Sequence, residues 1–232
     1  MINIKTRITA WLAAACLGAA GAAVATTGHA HAAEPPKVAV LGDSFSGWAA
    51  NPNPIPAGGY WFNYTARDLG WRVGNVIANP GAGYVKAGDY GTALDALRAH
   101  PIDPDTDYAL VMLGLNDSSV DPAAVSPAVA AVLAELRRQA PGVTPIVVGA
   151  LLPFNHLLSD RHVQVARAIG DWQAIGSTRY TIGFMATFET GPDGVHPSPN
   201  GHHQLGDWVA WHIANGLDNG TPLHAGADGV YR

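Results

Sequence analysis

Three stretches of this chain, residues 38–41, 108–115 and 145–152, are continuous apolar runs made mostly of Val, Ala, Ile and Leu, with none of the polar–apolar alternation of a half-exposed strand. A strand of that kind is buried on both faces, which restricts it to a parallel sheet covered by helices on either side. Residues 71–78 and 180–188 complete a set of five expected strands. Helical patterns lie at 60–69, 92–100, 122–139, 162–175 and 198–215, with Gly70 and Pro101 placed as stops for the first two. Five β–α units of this spacing predict a three-layer α/β/α, doubly wound, flavodoxin-like domain with a five-stranded parallel sheet. The Pro-rich stretch 51–56 falls inside the first unit, so it reads as a loop and not as a linker.

The N-terminus has a different character. Lys5 and Arg7 precede an Ala-rich apolar run over 8–25, and Ala30-His31-Ala32 has the small residues of an A-x-A cleavage site. This pattern predicts an export signal over 1–32, cut after Ala32 with Ala33 as the alternative, and therefore a secreted, extracellular protein. About 18 weakly hydrophobic residues are borderline for a membrane span, so no stable membrane anchor is expected. Removing 32 of 232 residues leaves 200, a length that suits one domain, here 33–216, followed by a polar tail over 217–232. Loss of Lys5 and Arg7 takes the formal charge from −5 to −7. With no Lys/Arg cluster remaining, nucleic acid is not an expected partner. The single cysteine, Cys16, lies within the signal, so the mature chain has no thiol chemistry, no disulfide and no cysteine metal site.

The residues at the strand ends are chemically complementary. Gly42-Asp43-Ser44 comes after the first, Asn79-Pro80-Gly81-Ala82-Gly83 after the second, Gly114-Leu115-Asn116-Asp117 after the third and Asp193-Gly194-Val195-His196 after the fifth. Ser44 to Gly83 is 39 residues and Gly83 to Asn116 is 33, each about one β–α unit. The segments therefore share the carboxyl edge of the sheet, where ligands bind in folds of this class. Ser44 is a nucleophile if a base takes its proton. His196 is such a base, and Asp193, three residues earlier, can hold its second ring nitrogen. The Asn116 amide and the backbone N–H groups of Ser44 and Gly83 are candidate donors to an oxyanion.

These four segments, in this order, resemble blocks I, II, III and V of the SGNH (GDSL-type) hydrolases, and the resemblance spans the mature domain. It implies Ser44 as nucleophile, Asp193 and His196 as its triad partners, Ser44, Gly83 and Asn116 as the oxyanion hole, and no metal or other cofactor. Two departures stand out: Phe45 occupies the position where block I usually has Leu, and block II is loose enough that Gly81 is an alternative to Gly83. The implied reaction is hydrolysis of acyl esters, short-chain or carbohydrate O-acetyl, by an acyl-enzyme route. The substrate is then a small-molecule or polysaccharide ester, and the protein is expected to be a monomer. Acyl transfer and lipase or phospholipase activity use the same residues, and a non-catalytic cell-wall or carbohydrate-binding module is the reading from another class.

Other residues suggest plainer roles. Asp43 and Asp117 are expected to bond their own loops, and His202 and His203 to lie partly exposed at the start of the last helix. Trp48, Tyr60 and Trp61 either line a substrate groove or pack in the core and its rim.

Overall fold

The computed structural model describes residues 34–47, 54–149, 152–153, 160–170, 181–182, 185–186 and 188–216. The expected signal with Cys16, the residue Trp48, the 217–232 tail and the end of the helix expected at 162–175 lie outside the described residues.

Four full strands make up most of a five-stranded parallel sheet: β1 (Lys37–Gly42), β2 (Arg72–Ala78), β3 (Tyr108–Met112) and β4 (Thr144–Val148). Their order is β2-β1-β3-β4, so the chain runs outward from β1 in both directions and the topological switch lies between β1 and β3. The register pairs Gly42, at the end of β1, with Ala78 on one side and Met112 on the other. These three strands thus end together, and the loops that leave them emerge at one edge.

Where a fifth full strand is expected over 180–188, the described residues show two dipeptides. β6 (Thr181–Ile182) pairs with β4, whereas β7 (Met185–Ala186) leaves the sheet to pair with β5 (Leu152–Pro153). The expected strand at 145–152 is divided in the same way, its central-sheet part ending at Val148. The strand expected over 108–115 ends at Met112, because the chain turns through Gly114 into a 3-10 helix at Leu115–Ser119.

Helices cover both faces. On one lie α1 (Trp61–Leu69) and α5 (Pro199–Gly216); on the other lie α2 (Ala93–Ala99), α3 (Val125–Gln139) and α4 (Asp160–Gly170). The pleat divides β1 between the layers. Val38 and Val40 pack with Trp61, Phe62, Leu205 and Val209, whereas Ala39 and Leu41 pack with Leu97, Val129, Leu133 and Ile169. All six residues of β1 are buried, as its unalternating sequence requires. Each Val or Leu side chain buried in this way stabilises the fold by about 1.5–3 kcal/mol.

Local chemistry sets the helix ends. Thr92 and Asp95 form a reciprocal capping box at the start of α2, with Asp95 N–H to Thr92 Oγ1 at 3.3 Å and Thr92 N–H to Asp95 Oδ2 at 2.9 Å. α1 ends at Gly70, whose φ of 66° is left-handed. No side chain of its own caps α1; instead the Trp61 N–H donates to Nδ1 of His202 at 3.3 Å.

Candidate active site

The Ser44 hydroxyl stands two residues beyond the buried end of β1, in a tight turn closed by a Ser46 N–H to Asp43 carbonyl bond of 3.0 Å. Gly42 permits this turn, since a Cβ there would overlap the Ser46 side chain. Ser46 Oγ in turn accepts from the Trp61 indole at 3.2 Å, which ties the Ser44 turn to α1.

His196 arrives from the loop before α5. Its Nε2 is 2.8 Å from Ser44 Oγ, and its Nδ1 is 2.6 Å from Asp193 Oδ2. The other Asp193 oxygen accepts the N–H groups of Val195 at 3.0 Å and His196 at 3.0 Å. Burial pushes the Asp193 carboxyl upward, but the Val195 N–H and the His196 ring and backbone outweigh it and hold the group below the usual carboxylate value. An ionised carboxylate only accepts, so Nδ1 must donate to it, and Nε2 is left to accept the Ser44 proton. The loop is braced at its base. Glu189 accepts the Ser198 hydroxyl at 2.6 Å and the Asn200 amide at 3.0 Å, and Gly191 N–H donates to the His196 carbonyl at 2.8 Å.

Asn116, on the 3-10 helix after β3, donates from Nδ2 to the Ala82 carbonyl at 2.9 Å and to Asp43 Oδ2 at 3.4 Å. It therefore links the loops after β1 and β2. Asp43 is 3% exposed and accepts the Phe45 N–H at 3.0 Å; burial pushes its carboxyl up to about 7. Its loop-bonding role is as expected. Asp117 is fully buried and accepts three N–H groups from the loop after β2.

Two expectations need revision, and one open alternative is decided. Gly83 spends its N–H on the Lys86 carbonyl at 2.9 Å, so in this geometry it has no donor to offer an oxyanion; its own carbonyl accepts from Ala93 at 3.1 Å. Gly81, the alternative, adopts a left-handed φ of 75° in the turn of that loop. His202 is 1% exposed and not at the surface. It lies three residues before the buried Leu205 on α5 and so faces α1, where burial pushes its imidazole down to about 4 and keeps it a neutral acceptor for Trp61. His203, by contrast, keeps a 45% exposed side chain. Trp61 is wholly buried, so it packs in the core and does not line a groove.

A contact that sequence reasoning did not anticipate is Phe45. It is 2% exposed and sets its ring 5.5 Å from the His196 ring and 6.0 Å from Phe188, both edge-on. Its only signal in the sequence is its departure from the usual residue at that position. Among the described residues, no group of three or more His, Cys, Asp or Glu is placed to hold a metal ion.

Ser44, His196 and Asp193 thus stand in hydrogen-bonded series at the carboxyl edge of the parallel sheet. The GDSL-like Lipase/Acylhydrolase family matches residues 40–204, most of the chain and every segment just described. The chain belongs to that family. It is accordingly a carboxylic-ester hydrolase of the GDSL type. Solved structures share its fold at low identity. A family two carbohydrate esterase from Clostridium thermocellum, in complex with cellohexaose, is 20% identical over 79% of this chain and 66% of its own, with a TM-score of 0.57. Est24, a carbohydrate acetylesterase from Sinorhizobium meliloti, is 17% identical over 77% of this chain and 98% of its own, with a TM-score of 0.57. The aryl esterase of M. smegmatis is 17% identical over 77% of this chain and 98% of its own, with a TM-score of 0.56. No curated protein sequence matches this GDSL-type chain.

Proposed function

We propose that this acylhydrolase is a secreted serine esterase acting on short-chain acyl esters, in particular O-acetyl groups on carbohydrate, through a Ser44-His196-Asp193 triad. The observation that carries the reading is the pair of short contacts at His196, 2.8 Å to Ser44 Oγ and 2.6 Å to Asp193 Oδ2. The carbohydrate esterases among the similar structures support the choice of substrate class. The charged n-region, apolar run and small-residue site over 1–32 support export.

In this mechanism His196 Nε2 takes the Ser44 proton as Oγ attacks the ester carbonyl carbon, and Asp193 stabilises the imidazolium that forms. The carbonyl oxygen gains negative charge, which the Ser44 N–H and the second Asn116 N–H, held only by the long 3.4 Å contact to Asp43, meet as donors. His196 then protonates the departing alcohol, leaving an acyl group on Ser44. Water, deprotonated by His196, attacks the acyl-enzyme, and the acid leaves as Ser44 recovers its proton. Gly83 takes no part as a donor here; it shapes the loop that carries Ala82.

Hydrolysis of p-nitrophenyl esters of increasing chain length, and acetate release from acetylated xylan, test the reading directly. Expected are turnover of the acetate ester, decline with chain length, and labelling of the protein by a fluorophosphonate that Ser44→Ala abolishes. Full turnover by Ser44→Ala would overturn the mechanism, and a preference for long chains would overturn the substrate class.

A further inference from the structure

Asp117 has more bonds than a loop residue needs. Its Oδ2 accepts the Tyr84 N–H at 2.7 Å, and its Oδ1 accepts those of Val85 at 3.1 Å and Lys86 at 2.9 Å. Three successive backbone N–H groups thus converge on one carboxylate with no solvent exposure. Asn116, the residue before, holds the same loop by donating to the Ala82 carbonyl at 2.9 Å. Two consecutive residues therefore grip the loop after β2 from both sides of Gly83, Asn116 by a carbonyl and Asp117 by three amides.

Gly83 is shaped to this grip. A Cβ on it would run into the Asp117 carboxylate, and its N–H is already committed to Lys86. The need for glycine at 83 thus comes from the close approach of a buried side chain of the protein itself. The Asn116 amide, which faces the nucleophile turn through Asp43, has its place defined by the Ala82 carbonyl. That carbonyl belongs to the same peptide group as the Gly83 N–H, which Lys86 holds at 2.9 Å, so it moves with the 83–86 segment.

We propose that Asp117 is a positioning residue for the oxyanion hole: by clamping the N–H groups of residues 84–86 it fixes the Ala82 carbonyl, and through it the orientation of the Asn116 amide toward the developing oxyanion. The proposal rests on the serine-esterase reading of the site. Asp117 touches neither substrate nor the triad and acts only through its neighbours. Because the amide must already point correctly when charge develops, loosening the clamp lowers kcat and leaves substrate binding nearly unchanged.

The test is a double-mutant cycle on the full chain with p-nitrophenyl acetate, using Asp117→Asn and Asn116→Ala singly and together. Asn at 117 places an NH2 group against one set of N–H donors and removes half of the clamp. The expected result is a fall in kcat of about 30- to 100-fold for Asp117→Asn, with KM within about threefold and the wild-type far-UV CD spectrum retained. In the Asn116→Ala background the same substitution should cost less than about threefold, since the group through which it acts is gone. An undiminished loss in that background, or no loss in the wild-type background, overturns the proposal. If Asp117→Asn does not fold, Gly83→Ala, which drives a methyl into the intact carboxylate, is put through the same cycle with the same criteria. Failure of the esterase reading looks different: the unsubstituted protein, or Ser44→Ala beside it, then gives the anomalous rate.

Discussion

Replacing Asp193 with Asn isolates one feature of the site, the direction of the proton on His196. The amide has the size of the carboxylate and one fewer acceptor. Asp193 Oδ1 accepts two backbone N–H groups, from Val195 and His196, each at 3.0 Å. The Asn oxygen is drawn to that position, because an NH2 there would face two donors. The NH2 then takes the place of Oδ2 and points at His196 Nδ1 from about the present 2.6 Å. Nδ1 becomes an acceptor, Nε2 carries the proton, and Ser44 meets a donor where it needs a base. The expected loss is about 10⁴ in kcat, the size seen when a serine-hydrolase triad acid is changed to its amide, or about 5 kcal/mol of transition-state stabilisation. Steady-state hydrolysis of p-nitrophenyl acetate measures it, with Asp193→Ala as the companion. Alanine imposes no tautomer, so that variant should retain more activity than the isosteric Asn. Asp193→Asn within tenfold of the unsubstituted protein, or well above Asp193→Ala, refutes the assignment of Nδ1 as donor and Asp193 as its acceptor.

Neighbouring groups give two further expected outcomes. In the proposed mechanism Asn116→Ala removes an oxyanion donor and should lower kcat by about 10²- to 10³-fold, or about 3–4 kcal/mol, with little change in KM; a raised KM at unchanged kcat would assign the amide to ground-state binding instead. Asp43 is raised by burial to about 7 in the folded protein, against about 3.9 in an unfolded chain. Between those values the folded state holds a proton that the unfolded state has released, so this group's contribution is present below about pH 4 and is lost as pH rises through about 7. The upper limit is about 4 kcal/mol. Urea unfolding at pH 5 and pH 8 should show a steeper decline for the unsubstituted protein than for Asp43→Asn, and parallel declines refute the burial argument.

The legible part of this fold and site is the part whose determinants are contiguous. Unbroken apolar runs at 38–41 and 108–115 identify doubly covered strands, and Gly-Asp-Ser, Gly-Leu-Asn-Asp and Asp-Gly-Val-His each carry their chemistry within four residues. The contacts that escaped such reading join distant positions. His202 is placed by Trp61, 141 residues away, and nothing beside it in the sequence distinguishes a buried helix-capping imidazole from a surface one. The residues at 180–188 have strand composition throughout, yet β6 and β7 serve different sheets, a division set by which partners β4 and β5 present. The sequence presents Gly83 as a loop N–H donor, whereas what requires glycine there is a carboxylate 34 residues on, and only the fold brings the two together.

Phe45 shows how such long-range contacts bear on the chemistry. The residue after the nucleophile has its N–H held by Asp43 at 3.0 Å, and its ring edge meets both His196 and Phe188. One residue thus fixes the turn from its backbone and covers the His196 ring from its side chain. The His196 side chain is 17% exposed, and the Phe45 ring shields part of it. The strand β1 therefore does more than deliver a hydroxyl to the sheet edge. Its buried run continues through Asp43 and Phe45 into the site, so the Ser44 hydroxyl, the Asn116 amide that Asp43 accepts from and the ring beside His196 are all referred to the same strand.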